Sequence, residues 1–174
     1  LTQSLLGATV AQSVARKVDV RLATLIGLLS GVIADADVLI RSSSDPLLSL
    51  EYHRHFTHSL FFIPFGALLA FLLFWPFLRS RLSAGYLYLY CFMGYLLSGF
   101  IDACTSYGTH LFWPLSDERV SWSIISIVDP VFTGLLVAGL LWGVLKRRGV
   151  YARVALLLAG SYLLVAAVQQ YRAE

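Results

Sequence analysis

Long runs of apolar residues alternate with short polar breaks along the whole chain. Two of the runs, Leu22–Ile40 and Leu1–Ala15, are less uniform than the others. Asp35 and Asp37 interrupt the first of these near its end. The second is short and mildly polar, as in a packed half-span or a tilted helix. We expect continuous helices, because lipid offers no partner for backbone groups. The clearest runs hold about 16 to 20 residues, enough to cross a bilayer core: Ser59–Leu78, Ala84–Ile101, Pro130–Leu145 and Tyr151–Val168.

Composition assigns these runs to a membrane protein. The chain is 58% hydrophobic and 13% charged, with a mean hydropathy of +0.75, and a soluble domain of 174 residues cannot bury that much apolar surface. The prediction is one all-α integral membrane bundle over residues 1–174, with about five to six membrane helices and lipid as its surroundings. No basic run interleaved with aromatic residues indicates a nucleic-acid partner. Small residues are predicted to mark close helix contacts, namely Gly27, Gly31, Gly94 and Gly99.

The charges of the polar breaks predict an orientation. Cytoplasmic loops of membrane proteins carry an excess of lysine and arginine, and alternate breaks of this chain hold nine of its 13 basic residues: Arg16, Lys17, Arg21, Arg79, Arg81, Lys146, Arg147, Arg148 and Arg153. The other breaks hold all of the 10 acidic residues except Asp19, together with all 4 histidines. We therefore expect a multi-pass inner-membrane protein with its polar site on the extracytoplasmic side.

Asp35 and Asp37 stand close together near the end of an apolar helix. Ionised carboxylates in such a place are costly unless they are paired or bind a cation, and two neighbouring ones repel each other. The pair therefore indicates a metal site, with two solvated residues at a helix end as the alternative.

Three histidines, His53, His55 and His58, lie within six residues just before the Ser59–Leu78 run. Imidazoles suit zinc, iron, manganese or nickel, although the spacing is not that of a zinc finger or an HExxH helix. Interfacial packing is the alternative, above all for His55. Arg54 could pair with an aspartate or hold a phosphate oxygen.

Further acidic and imidazole groups follow later in the chain. Asp102 ends a long apolar stretch, Ser98 precedes it by one helical turn on the same face, and His110 follows a turn that contains glycine. Asp129 stands directly before Pro130, where it could act as a helix N-cap or belong to the site.

Several of these segments resemble a known family, the YdjM-like membrane-bound metal-dependent hydrolases, from Thr2 to about Leu145. That family is regarded as distantly similar to zinc-dependent phospholipase C. The resemblance implies that Asp35, Asp37, His53, His58 and Asp102 are metal-ligand positions. It is carried by Thr2-Gln3-Ser4-Leu5-Leu6-Gly7-Ala8, Asp35-Ala36-Asp37, His53-Arg54-x-x-Thr57-His58-Ser59, Asp102-Ala103-x-Thr105-x-Tyr107-Gly108-Thr109 and Phe112-Trp113-Pro114.

The chain departs from the family pattern at three positions. Ser98 stands where the family usually has histidine, four residues before the aspartate, and Gln3 stands where many members have histidine. His110 stands where glutamine is expected, so it is a candidate replacement ligand. A hydroxyl binds zinc-like ions poorly, so Ser98 implies a weakened or altered metal site.

The resemblance and the ligand types together predict a metal-dependent hydrolase that cleaves a phosphoester, such as a lipid phosphate or a phospholipid head group. The expected cofactor is a divalent ion, zinc or alternatively manganese or iron. Asp37 or Asp129 is expected to orient the attacking water, and Arg54 to hold the phosphate. A non-catalytic metal-binding sensor or structural subunit is the alternative. A transporter is disfavoured, because the charged residues cluster at one end of the spans.

Overall fold

The helices of the chain pack side by side as an all-α bundle. The structure, a computed structural model, describes residues 2–39 and 55–173. Three short 3₁₀ turns, Asp35–Leu39, Phe56–His58 and Leu60–Phe62, join helices near the candidate site. The helices are α1 (Thr2–Ser13), α2 (Val20–Ala34), α3 (Ile63–Leu78), α4 (Ala84–Tyr95), α5 (Ser98–Ala103), α6 (Pro130–Lys146) and α7 (Val150–Ala173).

Three helical stretches of the described residues are long and apolar enough to cross a membrane: Leu60–Leu78, Ala84–Ala103 and Val150–Arg172. The apolar helix Pro130–Lys146 is slightly shorter. These stretches confirm the helical membrane bundle and match the predicted runs to within a few residues at most ends.

Helix α1 resolves the ambiguity of the first apolar run. It has 12 residues, of which only Leu5 is not buried. At about 1.5 Å per residue, this helix is too short to cross a bilayer core about 30 Å thick. It is a packed half-span that contacts α2, α4, α5, α6 and α7, and this central position explains how its polar residues are buried.

Polar groups of α1 find partners inside the bundle. The side chain of Gln12 donates to Thr24 Oγ1 (2.8 Å) and to the carbonyl of Leu140 (3.2 Å), and Thr9 donates to the carbonyl of Leu5 (2.7 Å). Hydrogen bonds of this kind replace water for a helix that is surrounded by apolar neighbours.

Glycines let the backbones of α1, α2 and α4 touch. A Cβ at Gly7 would fall on the carbonyl oxygen of Gly94, and one at Gly94 would lie 2.6 Å from the Cα of Gly27. One at Gly31 would lie 2.9 Å from the Cα of Ser4. The predicted close contacts are therefore confirmed, and they bring the first turn of α1 next to the end of α2.

The predicted continuous helix over Ala84–Ile101 is wrong in one detail. The chain turns at residues 96–97 and resumes as the short helix α5. Hydrogen bonds continue on either side of the break, from Leu96 N to Phe92 O (2.9 Å) and from Ile101 N to Leu97 O (3.1 Å). Helix α5 includes Asp102, whose carboxylate lies beside the imidazole of His58.

Residues 104–129 fold over this end of the bundle. Isolated bridges join Thr105 to Ile125 and Thr109 to Val120. Ile125 is buried in a hydrophobic cluster with Phe132 and Leu136 of α6. The loop therefore forms one wall of the space beside Asp102.

Candidate metal centre

His58 lies at the end of the 3₁₀ turn Phe56–His58, and its side chain is completely buried. The hydroxyl of Tyr95 donates to the carbonyl of Thr57 (2.7 Å) and anchors the turn from α4. Gly99 packs so closely that an added Cβ would overlap the carbonyl oxygen of His58. Contacts from two neighbouring helices thus determine where the imidazole lies.

Two carboxylates from separate elements meet the same edge of this imidazole. His58 Nε2 lies 3.1 Å from Asp102 Oδ2, at the end of α5, and 3.4 Å from Asp35 Oδ1, at the end of α2. The Asp102 side chain is 6% exposed and that of Asp35 is 35% exposed. The structure therefore brings together three of the residues predicted as ligands.

These three residues fit a divalent metal ion. Their donor atoms all lie within 4.8 Å of one another, and ligand atoms around one zinc ion at about 2.0–2.2 Å are separated by similar distances. His58 Nε2 is buried and forms no hydrogen bond within the part of the chain that the structure describes. One imidazole and two carboxylates suit zinc, manganese or iron.

Asp37 approaches His58 from the other edge of the ring. Its Oδ2 lies 3.7 Å from His58 Nδ1 and accepts a hydrogen bond from the Thr57 hydroxyl (3.1 Å). The same hydroxyl lies 2.9 Å from His58 Nδ1. Asp37 therefore contacts the histidine on the side away from Asp35 and Asp102, and its predicted roles as ligand and water-orienting base stay predictions.

A small cavity of about 80 Å³ lies beside Asp35 and Asp102. This volume exceeds that of one water molecule. No lysine, arginine or histidine is among its described lining residues, so two carboxylates dominate its charge. It is lined by Thr2, Gln3, Asp35, Ile101, Asp102, Thr105, Ile125, Ile127 and Val128.

Gln3 belongs to this cavity, where the sequence marked it only as a departure from the family pattern. Its Nε2 donates to the carbonyl of Gly31 (3.1 Å), which ties α1 to α2. Thr2 and Thr105 also line the cavity and were not predicted as site residues. Both stand in the segments that carry the family resemblance, and that position was the available signal.

His110 is not one of the three donors that come together. Its ring packs against His55, with ring centroids 4.4 Å apart. Burial lowers the pKa of His110, and electrostatic interactions with the imidazole of His55 and the guanidinium of Arg119 lower it further, whereas a hydrogen bond with the backbone of Asp117 raises it. Replacement of the imidazole missing at Ser98 by His110 stays a prediction.

Asp129 caps helix α6. Its Oδ1 accepts from the backbone N–H of Phe132 (2.8 Å), and its Oδ2 accepts from the hydroxyl of Tyr162 (2.9 Å). This is the N-cap arrangement that the sequence offered as the alternative. The proposed catalytic role of Asp129 stays a prediction.

The remaining predicted positions are His53, Arg54 and Ser98. His53 and Arg54 lie outside the described residues, so their roles stay predictions. Ser98 is 2% exposed, and its hydroxyl has no hydrogen-bond partner among the described residues. It precedes Asp102 by one turn of α5.

The fold and the site together define an all-helical membrane protein with a candidate divalent-metal centre at one end of its bundle. The family model described as YdjM inner membrane protein matches residues 1–173, and the chain belongs to this family. Neither a curated protein nor a solved structure matches the chain.

Proposed function

We propose that this inner-membrane protein is a metal-dependent hydrolase that cleaves a phosphoester at the membrane surface. The observation that carries the proposal is the convergence of Asp35, His58 and Asp102 beside a small cavity that both carboxylates line. A divalent ion bound there, zinc or alternatively manganese or iron, would polarise a phosphoryl oxygen and lower the pKa of a bound water.

The charge of the cavity supports a metal requirement. A phosphoryl group is anionic, and Asp35 and Asp102 would repel it because the described lining holds no basic side chain. A cation held by the same two carboxylates removes this repulsion. Arg54 is proposed to hold the phosphate from the segment before His58.

An apolar groove supports a lipid as substrate. It has a volume of about 460 Å³ and lies between α5, the loop 104–129 and α7. Phe100 and Cys104 line the groove, whereas their chain neighbours Ile101 and Thr105 line the cavity. An amphiphile could thus place its acyl chain on one side of this segment and its phosphate near the other.

We place the site on the extracytoplasmic side. The basic residues of the breaks at 16–21, 79–83 and 146–153 lie at the opposite helix ends from Asp35, His58 and Asp102. The excess of basic residues in cytoplasmic loops supports this orientation.

The test uses the full chain purified in mild detergent, stripped of metal and reloaded with zinc, manganese or iron. Release of phosphate or head group from phosphatidic acid and from phospholipids in mixed micelles is the measurement. His58→Gln and Asp102→Asn should lose most of the activity, because the first removes the imidazole nitrogen and the second removes the negative charge of the carboxylate. Glu118→Gln is the matched control, since it removes an exposed carboxylate from the loop at the same membrane end.

A second candidate function is metal binding without catalysis, as in a sensor or a structural subunit. The buried Ser98 hydroxyl favours it, because a serine occupies the helix position from which an imidazole could reach the ion alongside Asp102. Stoichiometric metal in the parent protein without turnover of any of these phosphoesters would select this candidate and overturn the hydrolase.

A further inference from the structure

We infer that the Thr57 hydroxyl selects the tautomer of His58 that can bind a metal ion. The inference rests on the metal centre proposed above and assigns a positioning role to a residue that is not one of the three converging donors. Its basis is a chain of contacts from Asp37 through Thr57 to His58.

The Thr57 hydroxyl links two groups that do not bond to each other directly. Its Oγ1 lies 3.1 Å from Asp37 Oδ2 and 2.9 Å from His58 Nδ1, whereas those two atoms are 3.7 Å apart. A separation of 3.7 Å is too long for a hydrogen bond. The side chains of Asp37 and His58 are fully buried and Thr57 is 7% exposed, so the hydroxyl takes the place that water would take in an open site.

The available protons determine the direction of these hydrogen bonds. A hydroxyl has one hydrogen to donate, and Thr57 donates it to Asp37 Oδ2. The Thr57 oxygen must then accept from His58, which requires the proton of the neutral ring to be on Nδ1. If Nδ1 carried no proton, Thr57 would have to donate its hydrogen to Nδ1. The Thr57 oxygen would then face the buried Asp37 oxygen with no hydrogen between them.

A proton on Nδ1 leaves the lone pair of the neutral imidazole on Nε2. Nε2 is the atom that faces Asp35 and Asp102. The contacts on one edge of the ring therefore prepare the other edge to donate to a metal ion. Orientation of a ligand histidine through its second nitrogen is a general feature of protein metal sites.

The neighbouring helices hold the hydroxyl in place. Tyr95 donates to the backbone carbonyl of Thr57 (2.7 Å), and Gly66 leaves room for the Tyr95 ring. Thr57 precedes His58 directly, so both side chains are positioned by the same short turn.

The test compares Thr57→Val, which keeps the branched shape and removes the hydroxyl, with Thr57→Ser, which keeps the hydroxyl. Zinc affinity is measured in detergent by competition with a chromophoric chelator. Thr57→Val should bind zinc about 10- to 100-fold more weakly, and Thr57→Ser should stay close to the parent. Thermal unfolding of the metal-free proteins checks the fold, and Thr57→Ala replaces Thr57→Val if the valine variant does not fold.

Nitrogen-15 NMR of zinc-loaded protein gives a second readout that does not depend on activity. The parent and Thr57→Ser should show a hydrogen-bonded, slowly exchanging proton on Nδ1 of His58, and in Thr57→Val this signal should shift upfield or exchange away.

Three outcomes would overturn the role of Thr57 without affecting the metal centre. Thr57→Val could bind zinc as tightly as the parent, or Thr57→Ser could bind zinc as weakly as Thr57→Val. The third outcome is a parent protein without a proton on Nδ1 of His58. A parent protein that binds neither zinc, manganese nor iron would instead overturn the metal centre, and this inference with it.

Discussion

At the scale of single residues, His58 has different partners on its two edges. Nε2 faces the carboxylates of Asp35 and Asp102, and Nδ1 faces the hydroxyl of Thr57. Loss of a partner on either edge should therefore weaken metal binding by His58, and each edge is tested by a separate experiment.

Without the carboxylate of Asp102, zinc should no longer raise the stability of the folded protein. A ligand that binds only the folded protein stabilises it by about 2.7 kcal/mol at a concentration 100 times its Kd. Zinc should therefore raise the unfolding temperature of the parent and of Glu118→Gln, and should have little effect on Asp102→Asn. An equal shift in Asp102→Asn would show that zinc stabilises the protein from another site.

Ser98→His tests the departure from the family pattern. An imidazole there would stand one turn before Asp102 on the same helix, so metal occupancy should rise, and phosphoesterase activity should rise if the parent is a weakened enzyme. Because position 98 is buried, the larger side chain should also lower the unfolding temperature of the metal-free protein. A folded variant with unchanged metal content and activity would mean that another group already fills this position.

The three converging residues were predictable from the sequence, whereas the contacts around them were not. Asp35 and Asp102 were marked because each ends an apolar run, and His58 because it belongs to a dense histidine cluster and to the family motif. Thr57 appeared in the same motif without a role, because the direction of its side chain depends on the 3₁₀ turn and on Asp37. The position of Asp37 on the opposite edge of the ring depends on the same turn.

At the scale of helices and turns, close packing of α5 against the His58 turn holds the site together. The contact depends on Gly99, because any side chain there would displace the His58 carbonyl. The spacing of apolar residues predicted the helices themselves. It did not predict the turn at residues 96–97, which lies beside the contacts of Tyr95 with Gly66 and Thr57, far apart in the sequence.

Gly99→Ala should therefore weaken metal binding by moving His58 relative to Asp102. The matched control is Gly134→Ala in α6, where an added Cβ would meet no atom within 4 Å. That control should bind metal as the parent does, and its unfolding free energy should rise by roughly 0.5–1 kcal/mol because alanine favours a helix. Zinc affinity and thermal unfolding are the measurements, and undiminished affinity in Gly99→Ala would refute the role of this contact.

At the scale of the whole molecule, the two ends of the bundle differ in charge. The end opposite the site carries nine of the 13 basic residues, and its single acidic residue, Asp19, is buried against Arg16 and the hydroxyl of Tyr90. Hydrogen bonding and ion pairing with Asp19 raise the pKa of Arg16. The one acidic residue at this end is thus paired with a neighbouring arginine.

Cysteine labelling in intact cells tests the orientation. A membrane-impermeant reagent added from outside should label Asp45→Cys and Glu118→Cys, and should spare Arg79→Cys and Arg147→Cys. Native Cys91 and Cys104 are buried, so they should contribute little background. The reverse labelling pattern would place the metal centre at the cytoplasmic face.

Helix α5 supplies the last of the three donors, so the order of synthesis determines when the site becomes complete. During synthesis Asp35 and His58 leave the ribosome before Asp102, and Gly99, which supports His58, arrives only with Asp102. A nascent chain that has inserted no further than α3 lacks one of the three donors. An ion held by all three would therefore bind only after α4 and α5 have been synthesised.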